Sequence, residues 1–233
     1  MRQTLISGLP ELGLNLSPAQ ADAFIAFGEA LLLKNQVMNL TAITDEKEVA
    51  RLHFLDCLAL LNAADFQNKT VIDVGCGAGF PGVPLKIGEE SISLTLLDSL
   101  GKRVDWLKET LPALKLSAAC VHARAEEYAA DHRGEYDIAV SRAVARLSIL
   151  SELCLPLVKK GGYFIAMKGV ESDAELSAAA RGISLLGGKV ERLYDYPIPG
   201  TDTVHRAVVI KKIKDTPKQY PRRFSKIKQS PLE

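Results

Sequence analysis

The apolar positions in the first 65 residues follow the period of helices. A helix start is predicted where Ser17 supplies an N-cap, Pro18 takes the first helical position and Gln20 completes a capping box. Apolar side chains then recur at helical spacing, at Phe24, Phe27 and Leu31. A second start at Asp45 opens a helix through about Leu61. We therefore predict an N-terminal helical extension.

From Lys69 onward, short β-rich runs alternate with helical ones. The predicted strands are Val71–Val74, Leu94–Leu97, Ala118–Val121, Ile138–Val140, Tyr163–Met167, Val190–Tyr194 and Arg206–Ile210. The predicted helices between them are Gly101–Leu111, Leu147–Leu157 and Glu171–Leu186. Strands separated by crossover helices favour a doubly wound, mostly parallel sheet that is covered on both faces.

The last two predicted strands form a different kind of pair. About a dozen residues join them, with Pro197, Pro199 and Gly200 and no helical period. They are therefore predicted to form an antiparallel hairpin at one edge of a seven-stranded, Rossmann-like α/β sheet. The chain divides into a helical extension (1–65), a sheet domain (66–213) and a basic C-terminal tail (214–233).

The composition excludes several classes of protein. The 233 residues are 47% apolar and 24% charged, which excludes intrinsic disorder. No run reaches the roughly 18 apolar residues of a membrane span, and the N-terminus lacks the apolar block of a secretory leader, so we expect a cytoplasmic protein. The four cysteines, at 57, 76, 120 and 154, include no C-x-x-C pair, so neither disulfides nor a metal site is expected.

Charge is distributed unevenly along the chain. Residues 206–228 hold nine basic side chains and one acid, a net charge of +8, whereas the whole chain carries only +1. A cationic segment on an otherwise acidic protein favours a polyanionic partner, most simply a nucleic acid. A solvated tail without a partner is the alternative. The candidate contacts to nucleic acid are Arg206, Lys218, Arg222 and Arg223.

The strongest motif is a glycine-rich turn after the first predicted strand. Residues 71–82 read Val-Ile-Asp-Val-Gly-Cys-Gly-Ala-Gly-Phe-Pro-Gly, and the lack of Cβ atoms at Gly75, Gly77 and Gly79 lets a ligand approach the backbone. The spacing is G-x-G-x-G, not the G-x-G-x-x-G of dinucleotide sites. This turn resembles the cofactor motif of class I S-adenosylmethionine-dependent methyltransferases. A dinucleotide site and a simple tight turn are the alternatives.

Two acidic positions downstream fit a bound nucleoside. Asp98 ends the second predicted strand, 23 residues after Gly75, where a carboxylate can accept both ribose hydroxyls. Ala125 and Glu126 follow the third strand, where such folds hold the adenine by backbone amides and a polar side chain. The alternative for each acid is the simpler role of stabilising the start of a helix.

The sequence motifs of two classes of methyltransferase are absent from this chain. Enzymes that methylate an exocyclic amine carry Asn/Asp-Pro-Pro-aromatic after strand four, where this chain has Val-Ser-Arg-Ala at 140–143. Enzymes that attack C5 of a pyrimidine need a thiolate there, typically in a Pro-Cys pair. What remains is an acceptor that needs no proton removed first, such as guanine N7. Arg142 and Lys168, at the exits of strands four and five, are candidates for holding guanine O6.

Many short motifs occur in one order along the chain. They are Asn39-Leu40-Thr41, His53-x-x-Asp56, the glycine turn, Leu97-Asp98-Ser99 with Lys102-Arg103, Arg124-Ala125-Glu126, Ser141-Arg142-Ala143, Lys168-Gly169 and Pro217-x-x-Tyr220-Pro221-Arg222-Arg223. This series resembles the ribosomal RNA small subunit methyltransferase G family, also called glucose-inhibited division protein B. The match runs from about residue 15 to 232.

The resemblance implies a reaction and a set of residues. The expected reaction transfers a methyl group from S-adenosylmethionine to N7 of a guanine in 16S ribosomal RNA, with the small ribosomal subunit as partner. The residues expected to line the cofactor pocket are Gly75, Phe80, Ala125, Glu126 and Arg142, and Asp98 joins them from the argument above. His53 and Asp56 would overhang the pocket mouth as further catalytic candidates. Their alternative role is to dock the N-terminal helices.

The chain departs from the family pattern at two places. Leu52 precedes the histidine where relatives often have a basic residue, and Arg51 is one position earlier. The run Phe-Ser-Lys-Ile-Lys at 224–228 replaces the usual Pro-Gly-x-Pro, so we expect the tail to contact RNA differently. A small-molecule methyltransferase and a non-catalytic RNA-binding assembly factor are the competing functions.

Overall fold

The computed structural model describes residues 1–142 and 145–233, so Ala143 of the strand-four motif lies outside the described residues. One sheet contains seven strands: β1 (Thr70–Val74), β2 (Ser93–Asp98), β3 (Ala119–His122), β4 (Tyr136–Arg142), β5 (Val158–Gly169), β6 (Gly188–Pro197) and β7 (Val204–Lys212). Their order is β3-β2-β1-β4-β5-β7-β6. Strands β1 to β5 pair in parallel, and β7 runs antiparallel to both β5 and β6. The predicted mostly parallel sheet with an antiparallel edge hairpin is confirmed.

The helices follow the predicted order. The α-helices of the described residues are α1 (Arg2–Gly8), α2 (Pro18–Asn35), α3 (Glu46–Val49), α4 (Asp56–Leu58), α5 (Gly82–Gly88), α6 (Gly101–Ala113), α7 (Ala125–Asp131), α8 (Leu147–Cys154), α9 (Asp173–Leu185) and α10 (Phe224–Gln229). The helix predicted through Leu157 ends earlier, since α8 gives way to a 3₁₀ turn at Leu155–Leu157. Pro156 has no amide N–H to continue the α-helical ladder, which accounts for the change.

The N-terminal helices begin at the predicted signals. The Ser17 side chain accepts a hydrogen bond from the Gln20 amide, and the Gln20 side chain accepts one from the Ser17 amide, so the capping box is confirmed. Asp45 caps α3 through the amides of the second and third helical residues. A π-helical segment, Ala50–Leu55, connects α3 to α4. Such wide turns are frequent at functional sites, and this one contains His53.

The core consists of two apolar clusters that share the sheet. Successive residues of a strand point to opposite faces, and in β7 Ala207 and Val209 join one cluster while Val208 and Ile210 join the other. The first cluster also contains the apolar face of the N-terminal helices, including Phe24, Phe27 and Phe54. The second contains the apolar sides of α8 and α9. The helical extension therefore covers one face of the sheet.

The C-terminal segment packs against the sheet domain. Arg133 donates a hydrogen bond to the carbonyl oxygen of Thr216 at 2.6 Å. Ile227 of α10 is fully buried in the second cluster. A Cβ atom at Gly182 would collide with the carbonyl oxygen of Leu232, so the last residues lie directly on α9. In the two described ranges, no helix is long and apolar enough to cross a membrane.

Candidate functional site

The glycine turn lies where the strand order reverses. Strand β1 stands between β2 and β4, and ligands of open α/β sheets bind at the carboxyl ends of strands at such a point. Gly75, Gly77 and Gly79 have φ values of 75°, 55° and 92°, a left-handed conformation that favours glycine. The amides of Gly75 and Cys76 both donate to the carbonyl oxygen of Leu97, which fixes the turn against β2.

The three glycines serve different purposes. Gly75 and Gly77 line a cavity of about 460 Å³ beside the turn. A Cβ atom at Gly77 would have only the Arg103 guanidinium nearby, at 3.7 Å, so this side of the turn is open. A Cβ atom at Gly79 would instead lie 2.7 Å from Val83 Cγ2. Gly79 therefore allows the turn to pack on α5, whereas Gly75 and Gly77 expose backbone to a ligand.

Asp98 connects the end of β2 to the turn. Its Oδ2 atom accepts a hydrogen bond from the Gly77 amide, and its Oδ1 atom accepts one from the Leu100 amide, each at 2.8 Å. Each carboxylate oxygen has a second lone pair, so both can also accept from the hydroxyls of a ribose. The carboxylate borders the main cavity, at the position predicted for ribose binding.

Asp73, at the end of β1, is a second acid beneath the turn. Its side chain is fully buried, and Oδ2 accepts a hydrogen bond from the Gly82 amide at 2.7 Å. Oδ1 has no hydrogen-bond partner among the described residues. Burial raises the pKa of Asp73 to about 7, against the opposing effect of the Gly82 hydrogen bond. Asp73 thus ties the start of α5 to β1 from below the cavity.

A smaller cavity of about 120 Å³ adjoins the main one at Gly75, Asp98 and Ser99. Ala125 and Glu126, at the start of α7, contribute to its lining. Their expected contact with adenine stays a prediction. The Glu126 side chain is about 10% exposed, and its Oε1 lies 4.0 Å from Arg124. The two cavities share Asp98, and the walls of the smaller one are mostly apolar.

The side chain of Arg142, the last residue of β4, lies at the mouth of the main cavity. Its guanidinium carbon lies 4.8 Å from the centroid of the Phe80 ring. The His53 ring stacks on the same phenylalanine, with centroids 4.4 Å apart and planes inclined by 22°. All three side chains line the cavity. The structure thus brings together residues from the π-helical segment, the glycine turn and β4.

His53 is neutral and both of its nitrogens have partners. Burial, followed by the neighbouring positive charge of Arg142, lowers the pKa of His53 to about 4. The Nδ1 atom faces both the Leu52 carbonyl oxygen at 3.2 Å and Nη2 of Arg142 at 3.1 Å. Because a guanidinium can only donate, Nδ1 is the acceptor, and the proton on Nε2 points to Thr41 Oγ1 at 2.8 Å.

Asp56 lies behind this mouth rather than in its lining. Its carboxylate accepts hydrogen bonds from the Tyr196 hydroxyl at 3.0 Å and from His205 Nδ1 at 2.9 Å. Arg142 Nη1 is 3.5 Å from the other oxygen. The hydrogen bond to Asp56 raises the pKa of His205. Asp56 therefore joins the N-terminal helices to β4, β6 and β7, and it orients Arg142 from below.

The thiols near the site are buried and are kept in the protonated form. Burial raises the pKa of Cys57 and that of Cys76 well above the usual range. Cys76 lies in the glycine turn and Cys57 follows Asp56. Among the described residues, no group of three or more His, Cys, Asp or Glu side chains is arranged to hold a metal ion.

Lys168 is placed away from the mouth. Its Nζ atom donates to the Ala145 carbonyl oxygen at 2.7 Å and to Glu175 Oε1 at 2.6 Å. It lines a separate cavity of about 520 Å³. The structure therefore does not bring Lys168 together with Arg142 and Phe80.

The four candidate RNA contacts differ in their surroundings. Arg206 is bound by Asp195 and Asp173, and only 11% of its side chain is exposed. Arg222 is bound to Glu152, whose side chain is fully buried. Lys218 and Arg223 are exposed to solvent. Only the latter two are both exposed and without a carboxylate partner in the part of the chain that the structure describes.

Several residues of the site escaped the sequence analysis. Tyr196 and His205 lie 140 and 149 residues after Asp56 and carry no motif that links them to it. Thr41 and Arg103 line the main cavity, and their short motifs do not by themselves indicate a role. Phe224 lines the smaller cavity, although its segment was assigned to RNA.

The fold has solved counterparts. TrmN from Thermus thermophilus matches with a TM-score of 0.53 at 20% identity, over 67% of this chain and 48% of that chain. A SAM-dependent methyltransferase from Aquifex aeolicus matches with a TM-score of 0.51 at 17% identity, over 70% and 92%. These likenesses concern the fold. Together with the glycine turn, Asp98 and the paired cavities, they define a class I S-adenosylmethionine-dependent methyltransferase.

The comparisons of sequence narrow this class to a family. Residues 20–197 match the family model described as rRNA small subunit methyltransferase G. A Ribosomal RNA small subunit methyltransferase G of Clostridium botulinum is 46% identical over 98% of each chain, and that of Bacillus subtilis is 44% identical over 97% of each. The chain belongs to the rRNA small subunit methyltransferase G family, so the predicted resemblance is confirmed.

Proposed function

We propose that this chain transfers a methyl group from S-adenosylmethionine to N7 of a guanine in the 16S RNA of the small ribosomal subunit. Family membership supports the cofactor and the class of RNA. The choice of acceptor atom is supported by one observation, which is the protonation and hydrogen bonding of the side chains around the mouth.

No side chain at the described mouth has a free basic lone pair. His53 is neutral and both of its nitrogens are engaged. Asp56 has three donors around it and lies behind the lining. Asp98 accepts hydrogen bonds from the amides of Gly77 and Leu100, and its remaining lone pairs accept from the ribose hydroxyls in this proposal. Methylation of an amine or hydroxyl needs such a base to remove a proton, whereas guanine N7 attacks with a lone pair that it already has.

Arg142 is the group that we propose to hold the base. Its Nη1 and Nη2 atoms donate to Leu52 and His53, but its Nε–H and one Nη2–H have no partner among the described residues. A guanidinium fixed in this way can donate to guanine O6 and leave N7 free to react. His53 and Asp56 act in this proposal as positioning residues, because they hold Arg142 over Phe80.

The remaining residues of the pocket bind the cofactor in this proposal. S-adenosylmethionine, when bound, supplies an electrophilic methyl carbon on a sulfonium. Asp98 accepts the ribose hydroxyls, and the smaller cavity beside Ala125 and Glu126 takes the adenine. The backbone at Gly75 and Gly77 is open to the rest of the cofactor. Alignment of the two reactants in this way can lower the activation barrier by up to about 7 to 11 kcal/mol.

The exposed cations of the C-terminal segment are the proposed contacts to RNA phosphates. Lys218 and Arg223 are solvent-exposed, and so are Lys226 and Lys228 of α10. Each cation that neutralises a phosphate releases counterions and makes binding weaker at high salt. We propose the assembled small subunit as the substrate, since folded RNA presents phosphates in a fixed arrangement.

The test is methyl transfer from labelled S-adenosylmethionine to three acceptors in parallel. These are unmodified small ribosomal subunits, protein-free 16S RNA and large subunits as the control. We expect label in small subunits alone, with strand cleavage by mild base and aniline at the labelled nucleotide, as N7-methylguanosine undergoes. Label that resists this cleavage would contradict the acceptor atom. Label in free RNA but not in subunits would contradict the assembled substrate.

A further inference from the structure

The C-terminal segment reaches into the proposed cofactor pocket. Phe224, the first residue of α10, lines the smaller cavity together with Ala123 and Ala125 after β3 and with Leu150 and Leu153 of α8. The sequence assigned this segment to RNA, and the run 224–228 is where the chain departs from its family pattern. One face of the segment therefore belongs to a cavity that is shared with Asp98 and Gly75.

The segment is fixed rather than loosely attached. Arg222 donates to Glu152 Oε1 from its backbone amide and from Nε, each at 2.8 Å, and to Oε2 from Nη2 at 2.6 Å. Ile227, three residues after Phe224, is fully buried. Glu152 lies on α8 between Leu150 and Leu153, so the helix that anchors the segment also supplies cavity wall. These contacts on both sides hold the Phe224 ring in place.

The chemistry of this cavity suits a purine. Its walls are mostly apolar side chains, and Asp98 borders it where a ribose would connect. The Arg124 guanidinium carbon lies 5.9 Å from the Phe224 ring centroid, and Arg124 lines the same cavity. An aromatic ring is a favourable contact for a nucleobase of any kind, and it excludes water from the base.

We infer that Phe224 is part of the cofactor site, where its ring forms a wall against the adenine of S-adenosylmethionine. The C-terminal segment thus sets the affinity for the cofactor in addition to carrying cations for RNA. This inference rests on the proposed function, because it takes the smaller cavity to be the adenine site. It adds a residue that lies 98 positions after Glu126 and 149 positions after Gly75.

Calorimetric titration of the full chain with S-adenosylmethionine and with S-adenosylhomocysteine, in the absence of RNA, tests the inference. Phe224→Ala should weaken both affinities by roughly tenfold, the value of one base–aromatic contact. Phe224→Tyr keeps the ring and should bind within about twofold of wild type. Gln229→Ala changes an exposed residue of the same helix and should leave both affinities unchanged.

A second measurement separates loss of the ring from loss of the segment. Trypsin cleavage at Lys226 and Lys228 reports whether α10 remains docked, and Phe224→Leu keeps an apolar side chain for docking. Weakened binding by a docked Phe224→Leu chain supports the inference. Unchanged affinity in Phe224→Ala overturns it while leaving the proposed function intact. Wild-type chain that binds neither ligand would instead overturn the proposed function.

Discussion

Glu152 is fully buried, and Arg222 surrounds its carboxylate with three hydrogen bonds. Arg222 was predicted to contact RNA, and its neighbour Arg223 is exposed. Adjacent arginines thus have different environments. A variant that changes both would mix a loss of stability with a loss of RNA affinity, so they are better tested apart.

Replacement of Arg222 by Ala should destabilise the fold by about 3 to 5 kcal/mol, because it leaves a buried carboxylate without its partner. Thermal unfolding measures this, and the melting temperature should fall by at least about 6 °C. Adding Glu152→Gln to the same chain removes the unpaired charge and should recover part of the loss. An Arg222→Ala chain as stable as wild type would argue against a structural ion pair.

Replacement of Arg223 by Ala should leave the melting temperature within about 1 °C of wild type, since surface substitutions rarely exceed about 0.5 kcal/mol. It should weaken binding to small-subunit RNA. The slope of log affinity against log salt should become less steep by the amount that one neutralised phosphate contributes. Filter binding at several salt concentrations gives the slope. If Arg223→Ala has the wild-type slope, this arginine does not neutralise a phosphate.

Replacement of Arg142 by Lys keeps a positive charge near Asp56 but loses the planar arrangement of donors. If Arg142 holds guanine O6, the maximal rate of methyl transfer should fall by about 10²- to 10³-fold, as when one donor to a developing charge is lost. Arg146→Lys is the matched control, because that side chain is 74% exposed at the start of α8. Equal rates for the two variants would exclude this role.

His53 and Asp73 should make contributions of opposite sign to the pH dependence of stability. His53 has a pKa near 4 in the fold against 6.5 ordinarily, so between these values the unfolded chain binds more protons and stability rises with pH. Asp73 has a pKa near 7 against 3.8, so the folded chain binds more protons and stability falls with pH. The two contributions oppose each other from about pH 4 to 6.5.

Chemical denaturation at several pH values separates them. His53→Gln should make the slope of unfolding free energy against pH more negative by about 1.4 kcal/mol per pH unit in this window. Asp73→Asn should make the slope more positive by a similar amount. Changes of the same sign in both variants would contradict the assigned charge states.

Gly79 should not tolerate alanine. Its φ of 92° is unfavourable for a residue with a Cβ, and that atom would meet Val83 at 2.7 Å and Leu107 at 3.2 Å. We expect Gly79→Ala to destabilise the fold by about 2 to 5 kcal/mol. Gly169→Ala places its Cβ in open space and serves as the control. Equal denaturation midpoints for the Gly79→Ala and Gly169→Ala chains would contradict the expected steric clash at Gly79.

The elements with local signals were predictable from the sequence. Strand β1 was expected at Val71–Val74 and extends over Thr70–Val74, because a β-branched run bounded by glycine has few other solutions. Strand β5 was expected only from Tyr163, yet it begins at Val158. The lysines and glycines at 159–162 have weak strand propensity, and they fall at a register shift between the pairs Tyr136–Val158 and Ile138–Tyr163. Regular pairing with β4 therefore begins at Tyr163, the residue at which the sequence predicts the strand.

The residues of the site likewise fall into those that a local sequence pattern can place and those that it cannot. The glycine turn and Asp98 are close in sequence, so a pattern could place them. The partners of Asp56 come from β6 and β7, and nothing in the linear sequence indicates which side chains meet when those strands are added at the edge. The burial of Glu152 was likewise invisible, so Arg222 looked like a solvated cation.

The shared core has a consequence for biosynthesis. Phe27 of α2 packs at 5.7 Å from the Phe80 ring and at 6.1 Å from Trp106, which the chain supplies about 80 residues later. At typical rates of translation, roughly 4 to 16 s separate their appearance. During that interval Phe27 can pack on Phe54, but it lacks the Trp106 ring. Until α6 has been made, the aromatic face of α2 is only partly covered, which favours aggregation of the emerging chain.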